Sequence, residues 1–317
     1  MRRFSPLLIA LLVGCAGLGR RTETRERLNA LSDEAVAGKH VSVIAALSGN
    51  SISELPRFAR SRGYLLLGQS LRLNGELGRA LEVFQLAAGL YPRNLNLLTE
   101  LATVLHRSGL DERALPHYRR ILKIHPNNAV SNHGIAEIFR SQGNLTSARM
   151  HYERALSEDG WDKNPLIWKD YGLVLTELRK FDKAAEALER SVSLNDTPDS
   201  LLALARVERM RGNAEQSRTH VAAAILRDPA REDALLQRGL WELEDSDLNA
   251  ALATAQLVLS GDGDHALARW LRASIHLRRG EREQASADLV VASAASREHP
   301  FIAKTARAML ERLMGNP

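Results

Sequence analysis

The single cysteine of this 317-residue chain, Cys15, stands at the end of a short apolar segment. A thiol can serve as a nucleophile or an attachment point, but free cysteine also packs well as a small apolar side chain. One cysteine cannot form a disulfide within the chain, so no disulfide framework is expected. Two interpretations of Cys15 are therefore open: a buried core residue or an attachment point.

The sequence around Cys15 favours the attachment point. The apolar run from Phe4 to Leu18 is shorter than the roughly 20 residues that a helix needs to cross a bilayer. Arg2 and Arg3 precede it, and the small residue Gly14 provides a cleavage point, as in a secretory signal. The two adjacent arginines also allow a twin-arginine signal, but the ordinary secretory route is favoured.

The stretch Leu12-Val13-Gly14-Cys15 resembles the lipobox of bacterial lipoproteins. The resemblance implies that residues 1–14 are a signal peptide, that cleavage precedes Cys15 and that this residue carries acyl chains such as palmitate. Two or more acyl chains hold a protein durably on a membrane. Ala16 follows the cysteine where an aspartate would imply inner-membrane retention, so the resemblance implies the periplasmic face of the outer membrane.

Motifs that would support catalysis or metal binding are missing from the sequence. It contains no glycine-rich phosphate loop, no G-x-S-x-G turn and no H-E-x-x-H pair, and its ten histidines are scattered. The acidic stretch from Gly261 to His265 fits a weak calcium loop, but its position favours a turn between repeats. We therefore predict a protein without enzymatic activity, metal or cofactor.

Composition narrows the fold and the partners. Alanine and leucine are abundant and aromatic residues make up only 5% of the chain, which indicates an all-α protein. Removal of a signal peptide containing Arg2 and Arg3 lowers the formal net charge from +5 to +3. A mixed surface with so small an excess of positive charge argues against nucleic-acid binding.

The most informative pattern is a repeat of about 34 residues. Units are predicted to begin near Ser61, Leu95, Ala129, Pro165, Pro198, Glu232 and Ala266. Each has one small residue on its first helix (Gly68, Ala102, Ala136, Gly172, Ala205, Gly239, Ala273) and one on its second (Ala80, Ala114, Ala148, Ala184, Ser217, Ala251, Ala285). Small residues allow two helices to approach closely, and glycines such as Gly75 and Gly109 fit the turn between them. Each unit is thus predicted to be a helical hairpin.

These units resemble the tetratricopeptide repeat, whose W-x₂-L-G-x₂-Y…A-x₃-F…P pattern is nearly complete in the first two units. The resemblance implies an array over residues 61–299 that winds into a right-handed superhelical solenoid of about seven hairpins. Arg238 and Arg272 replace expected apolar residues, which predicts tilted or loosened hairpins. Two extra residues between 159 and 164 predict a longer loop.

The ends of the chain depart from the repeat. Residues 15–60 fit no complete unit, although Leu28, Leu31, Ala35 and Val36 have helical spacing, and they are interpreted as a lipidated arm and a degenerate helical cap. Residues 300–317 are predicted to form a C-terminal capping helix and tail, with a polar outer face. A partner-binding helix is the alternative for that segment.

The inward positions of the first helices form the candidate binding groove, since stacked repeats present such a surface to ligands. In the first three units these positions contain more basic than acidic residues, which predicts that the groove binds an acidic or carboxylate-terminated segment. The alternative is an ordinary solvated face. The candidate groove residues are Arg62, Gln69, Arg72, Thr103, His106, Arg107, His133, Glu137, Arg140, Arg206, Arg209 and Trp270.

Two functions fit a lipid anchor followed by such an array. The first is a non-catalytic scaffold that receives protein or peptide segments of envelope machinery, similar to the tetratricopeptide lipoproteins that help to assemble type IV pili or secretion channels. The second is an adaptor or regulator of enzymes that synthesise or cleave peptidoglycan. A hydrolase is disfavoured, because the repeats occupy most of the chain and leave no room for a catalytic domain.

Overall fold

The computed structural model describes the backbone of residues 6–295 and 299–315, and side chains from residue 21 onward within these ranges. Cys15 and the other signal-segment side chains lie outside the described residues, so the lipidation prediction is not tested. No helix in the described part of the chain is both long enough and apolar enough to cross a membrane.

The described chain folds into helices that form two compact units, which meet in sequence between Asp162 and Lys163. The helices of unit 1 are α1 (Pro6–Val36), α2 (His40–Leu47), α3 (Ser51–Glu54), α4 (Arg57–Leu73), α5 (Leu77–Leu90), α6 (Leu95–Arg107), α7 (Asp111–Leu122), α8 (Ala129–Ser141) and α9 (Leu145–Leu156). The helices of unit 2 are α10 (Pro165–Glu177), α11 (Phe181–Leu194), α12 (Pro198–Met210), α13 (Ala214–Arg227), α14 (Glu232–Glu244), α15 (Leu248–Gly261), α16 (Ala266–Arg278), α17 (Arg282–Ala294) and α18 (Pro300–Leu313).

Helices α4 to α17 pair into seven hairpins, three in unit 1 and four in unit 2, as the repeat predicted. We call the first helix of each hairpin its A helix and the second its B helix. Six A helices begin at the residues that the repeat register gave, and only the first differs, because α4 starts at Arg57 rather than near Ser61. A 3₁₀ turn at Trp161–Lys163 lies in the predicted longer loop.

The small residues act as the repeat pattern predicted. All fourteen of them are buried. A Cβ atom added at Gly68 would lie 2.4 Å from Cζ of Phe84 on the partner helix, and one added at Gly172 would lie 2.6 Å from Cγ of Leu188. Such distances are far below van der Waals contact, so these glycines let each A helix pack closely on its B helix.

The turns between A and B helices require a left-handed backbone. Gly75 and Gly109 adopt φ angles of 85° and 73°, which a residue without a Cβ atom tolerates. Two hairpins lack the glycine, and Arg179 and Ser246 adopt φ angles of 59° and 66° at the equivalent places. The turn geometry is therefore imposed by helix packing even where the local sequence disfavours it.

The two A helices that carry an arginine at an apolar position still pack on their B helices. In the structure α14 packs on α15 and α16 packs on α17, as in the other hairpins. Arg238 donates to the Thr254 hydroxyl at 3.2 Å, and Arg272 forms two hydrogen bonds of 2.7 Å with Asp288 on the facing B helix. A polar pair inside each of these hairpins replaces the usual apolar pair, and the predicted tilt stays a prediction.

Helices outside the repeats pack at the N-terminal side of unit 1 and at the C-terminal side of unit 2. Near the N-terminus, Leu28, Val43 and Leu47 are buried in the core of unit 1, whereas Val36, which the spacing grouped with Leu28, is 87% exposed. At the other end α18 packs on α17, burying Ala303 and Ala306. The C-terminal capping helix predicted from the sequence is confirmed.

Candidate functional site

The candidate groove residues of unit 1 lie on three successive A helices. Arg62, Gln69 and Arg72 are on α4; Thr103, His106 and Arg107 are on α6; and His133, Glu137 and Arg140 are on α8. Their side chains do not form a continuous basic strip, because several of them already have acidic or polar partners within the unit.

Glu100 on α6 pairs with two of the candidate groove residues of α4, the neutral Gln69 and the basic Arg72. Its Oε1 accepts a hydrogen bond of 2.7 Å from Gln69 Nε2, and its Oε2 lies 3.2 Å from Arg72 Nε. The side chains of Arg72 and Glu100 are only 15% and 16% exposed, so the surrounding protein partly shields this ion pair from water. The sequence analysis missed Glu100, although its place one helical turn before Thr103 puts it on the same face of α6.

A histidine–carboxylate cluster links α6 and α8. His106 Nδ1 lies 2.6 Å from Asp111, and its Nε2 lies 3.5 Å from Glu137, which is equally far from His133 Nδ1. The hydrogen bond with Glu137, helped by Asp111, raises the pKa of His106 above its ordinary value. Burial by itself would raise the pKa of Glu137, but His106, His133 and Arg107 together lower it. The cluster thus favours a charged His106 between two carboxylates.

Two other predicted residues of unit 1 have partners within the fold. Arg62 donates to the Asn29 side chain on α1 at 2.8 Å, which ties α4 to the N-terminal helix. The hydroxyl of Thr103 donates to the carbonyl of Thr99 one turn earlier, at 2.9 Å. Arg107 is exposed and Arg140 is half-buried.

The three candidate residues of unit 2 fall into two places. Trp270 on α16 packs against two apolar clusters, one around Leu271 and one around Leu289, so its ring contributes to the core. Arg206 and Arg209 lie on α12 and help to line a pocket between α12 and α14 with a volume of about 80 Å³. The other lining residues are Leu202, Ala205, Ser217, Val221, Asp233 and Gln237.

The glycine-rich acidic stretch from Gly261 to His265 forms the turn that the repeat register predicted. Asp262 accepts a hydrogen bond of 3.1 Å from the backbone of Asp264, and Arg269 donates to the carbonyl of Gly263 at 2.7 Å. A guanidinium therefore satisfies the turn carbonyl that a calcium ion would otherwise coordinate.

A family model described as tetratricopeptide repeat matches residues 65–129 and 133–200. The hairpins between residues 65 and 200 match the tetratricopeptide repeat. In unit 2 the hairpins beyond residue 200 continue the same register, with A helices beginning at Glu232 and Ala266. The tetratricopeptide fold is a scaffold for protein and peptide partners, and its stacked A helices provide the binding face.

One known protein is similar in sequence over part of the chain, and solved structures share its fold. BBSome complex member BBS4 of Bos taurus is 25% identical over 128 residues, which is 40% of this chain and only 24% of that protein. The structure of PilF from Pseudomonas aeruginosa has a TM-score of 0.58 at 18% identity, with 68% of this chain and 97% of that chain covered. PilW, described as a widely conserved type IV pilus biogenesis factor, has a TM-score of 0.52 at 15% identity, with 78% and 98% covered. At these identities the structural matches establish the fold.

Proposed function

We propose that this tetratricopeptide-repeat protein is a non-catalytic scaffold, anchored by lipid at Cys15 to the periplasmic face of a bacterial outer membrane. There it holds polypeptide segments during the assembly of an envelope complex of the type IV pilus or secretion-channel class. The observation that carries the scaffold role is the array of seven hairpins, whose A helices present charged and polar side chains in register.

The envelope assignment rests on a separate pair of observations. The lipobox-like stretch ending at Cys15 precedes the repeats in the sequence. PilW, whose described role is type IV pilus biogenesis, shares the repeat fold over 78% of this chain. A lipid anchor would confine the array to a membrane surface, where complexes of that class are built.

The anchor is tested by replacing Cys15 with serine. In bacterial cells supplied with an alkyne-labelled palmitate, the wild-type protein should incorporate label and sediment with membranes. Cys15→Ser should lose the label and move to the soluble periplasmic fraction. Incorporation of label by the variant would contradict the lipoprotein assignment.

The partner is tested by photo-crosslinking from the A-helix face. A photoreactive amino acid at Arg107, which is exposed on α6, should capture envelope-assembly proteins, whereas the same group at Arg190 on the B helix α11 serves as the control. Capture of pilus or secretion components at the first position alone supports the proposal. Capture of peptidoglycan enzymes there would instead assign the protein to cell-wall regulation.

A further inference from the structure

The first step of the argument is the contact between α4 and α6 in unit 1. Gln69 and Arg72 occupy two successive groove positions on α4, and Glu100 on α6 accepts hydrogen bonds from both of them. A carboxylate placed between two neighbouring A helices thus satisfies the donors of the first helix.

The same three positions recur in unit 2 with one decisive change. Arg206, Arg209 and Gln237 each lie 137 residues after their counterparts, so they occupy the same places in the repeat. Two guanidinium groups now stand on α12, but the facing position on α14 holds a neutral amide. Compared with the contact between α4 and α6, this site has one more positive charge on its first helix and no carboxylate at the facing position of its second.

Arg206 and Arg209 are exposed to water, but one buried donor of this set is unsatisfied, the amide nitrogen of Gln237. Arg209 Nη1 lies 3.4 Å from Gln237 Oε1, a long contact for a charged donor. Gln237 Nε2 is buried and has no hydrogen-bond partner in the described structure. Over the same described residues, Arg206 forms no ion pair or hydrogen bond and is exposed. A buried donor without an acceptor is costly, so an incoming acceptor would be favoured.

The pocket around these donors limits what can enter. Leu202 and Val221 supply apolar walls, which suit the aliphatic part of a ligand. Asp233 also lines the pocket, but its negative charge is already balanced by Arg231, which lies 2.7 Å away. This arrangement fits a single carboxylate on an aliphatic stem better than a run of acidic residues.

We propose that the pocket between α12 and α14 binds one carboxylate of a partner polypeptide, which occupies the place that Glu100 fills between α4 and α6. The proposal deepens the scaffold function and rests on it. It also moves the carboxylate site from the first repeats to unit 2, because Glu100 already pairs with Arg72 on α4. The carboxylate belongs either to a chain terminus or to an aspartate or glutamate side chain.

The site can be tested with small acids on the purified full-length chain. The probes are N-acetyl-leucine, which carries a terminal carboxylate; N-acetyl-glutamic acid α-amide, which carries only a side-chain carboxylate; and the neutral N-acetyl-leucinamide. Amide and guanidinium NMR signals of Arg206, Arg209 and Gln237 should shift on titration with an acid, with a dissociation constant on the millimolar scale that suits so small a ligand. The acid that binds more tightly identifies the source of the carboxylate.

The decisive variant is Gln237→Glu, which restores the arrangement seen at Glu100 and should lower the affinity for either acid at least tenfold. Arg206→Gln combined with Arg209→Gln should have a similar effect by removing the charged donors. Arg190→Ala, which removes an exposed arginine from the B helix α11, should leave binding unchanged. Circular dichroism should show that each variant retains its helices.

Three results would overturn the proposal: an equal response to N-acetyl-leucinamide, unchanged acid binding by folded Gln237→Glu, or no shift of these signals with either acid at tens of millimolar. The probes act on purified protein without a partner or a membrane. Failure of the palmitate or crosslinking experiments would therefore remove the envelope scaffold role without affecting the acid titration.

Discussion

Removal of the buried carboxylate of Asp288 should weaken the last repeat substantially. Asp288 on α17 is 3% exposed at its side chain, and its oxygens accept hydrogen bonds from Arg269 at 2.9 Å and from Arg272 at 2.7 Å twice. These contacts hold the facing helix α16 against α17, and Arg269 continues to the turn at Gly263. The carboxylate thus joins α16 and α17, and through Arg269 the turn that precedes α16.

The stability loss in Asp288→Ala depends on the two arginines that are left without their carboxylate. Removing one partner of a buried ion pair costs about 3–5 kcal/mol. The two arginine side chains are 22% and 23% exposed, so water can hydrate them in part and the lower end applies. We expect Asp288→Ala to reduce the free energy of unfolding of the C-terminal hairpins by about 3 kcal/mol.

The pH dependence provides a second readout. Burial would raise the pKa of Asp288, but the hydrogen bonds with Arg272 and Arg269 outweigh it and lower the pKa below the ordinary value of 3.8. A carboxyl group with a depressed pKa in the folded state contributes stability above its unfolded pKa and loses it as the pH falls through the folded value. The difference in free energy of unfolding between wild type and Asp288→Asn should therefore be largest near neutral pH and should decrease below about pH 4.

Urea denaturation and hydrogen exchange of α16 to α18 would measure the loss, since repeat arrays can unfold in parts. A paired variant separates charge from packing: Arg272→Leu with Asp288→Val recreates Leu67 and Val83, the residues at the same two positions of the first hairpin. This pair should recover at least half of the lost stability, because apolar replacement of a buried ion pair is often neutral. A loss below about 0.5 kcal/mol for Asp288→Ala, or no recovery in the paired variant, would refute the reasoning.

Three further changes probe the packing and the titration of the array. Arg179→Gly should stabilise unit 2 by about 0.5–1 kcal/mol in urea titration, because the left-handed backbone no longer carries a Cβ atom; a loss of stability would contradict this. Gly68→Ala should destabilise unit 1 by about 1–3 kcal/mol through its clash with Phe84, whereas Gly78→Ala, with open space around it, should be neutral or stabilising. Burial, aided by nearby arginines, lowers the pKa of His151, so this residue should make unit 1 less stable as the pH falls below about 6.5. His151→Gln should reduce the dependence of the unfolding free energy on pH. An unchanged dependence would exclude His151 as its source.

The hairpin array could be predicted from the sequence because each repeat uses the same local rules. Small residues recur where two helices cross, and apolar residues recur with helical spacing, so the register located six A helices at their first residue. For Val36 and Arg272, spacing along the chain did not predict the burial or the partner of the side chain. Val36 has helical spacing but lies on the exposed side of α1, and Arg272 occupies an apolar position because Asp288 faces it.

The candidate site was less predictable, since it depends on which side chains meet across neighbouring repeats. The sequence placed Arg72 and His106 on the groove face, but it did not show that Glu100 and Asp111 would pair with them. Such pairs join residues on different turns or helices. Charge counted along one face therefore overestimated the basic character of the first repeats.

The sequence by itself determined the repeat, its hairpins and the segment ending at Cys15, because those features follow from residue types at fixed spacing. Only the tertiary structure decided which groove charges are satisfied within the fold. Glu100 lies between Gln69 and Arg72, while Gln237 leaves Arg206 and Arg209 without a carboxylate. The physical reason is that an ion pair depends on distances of a few ångströms between helices, which packing sets and which spacing along the chain does not.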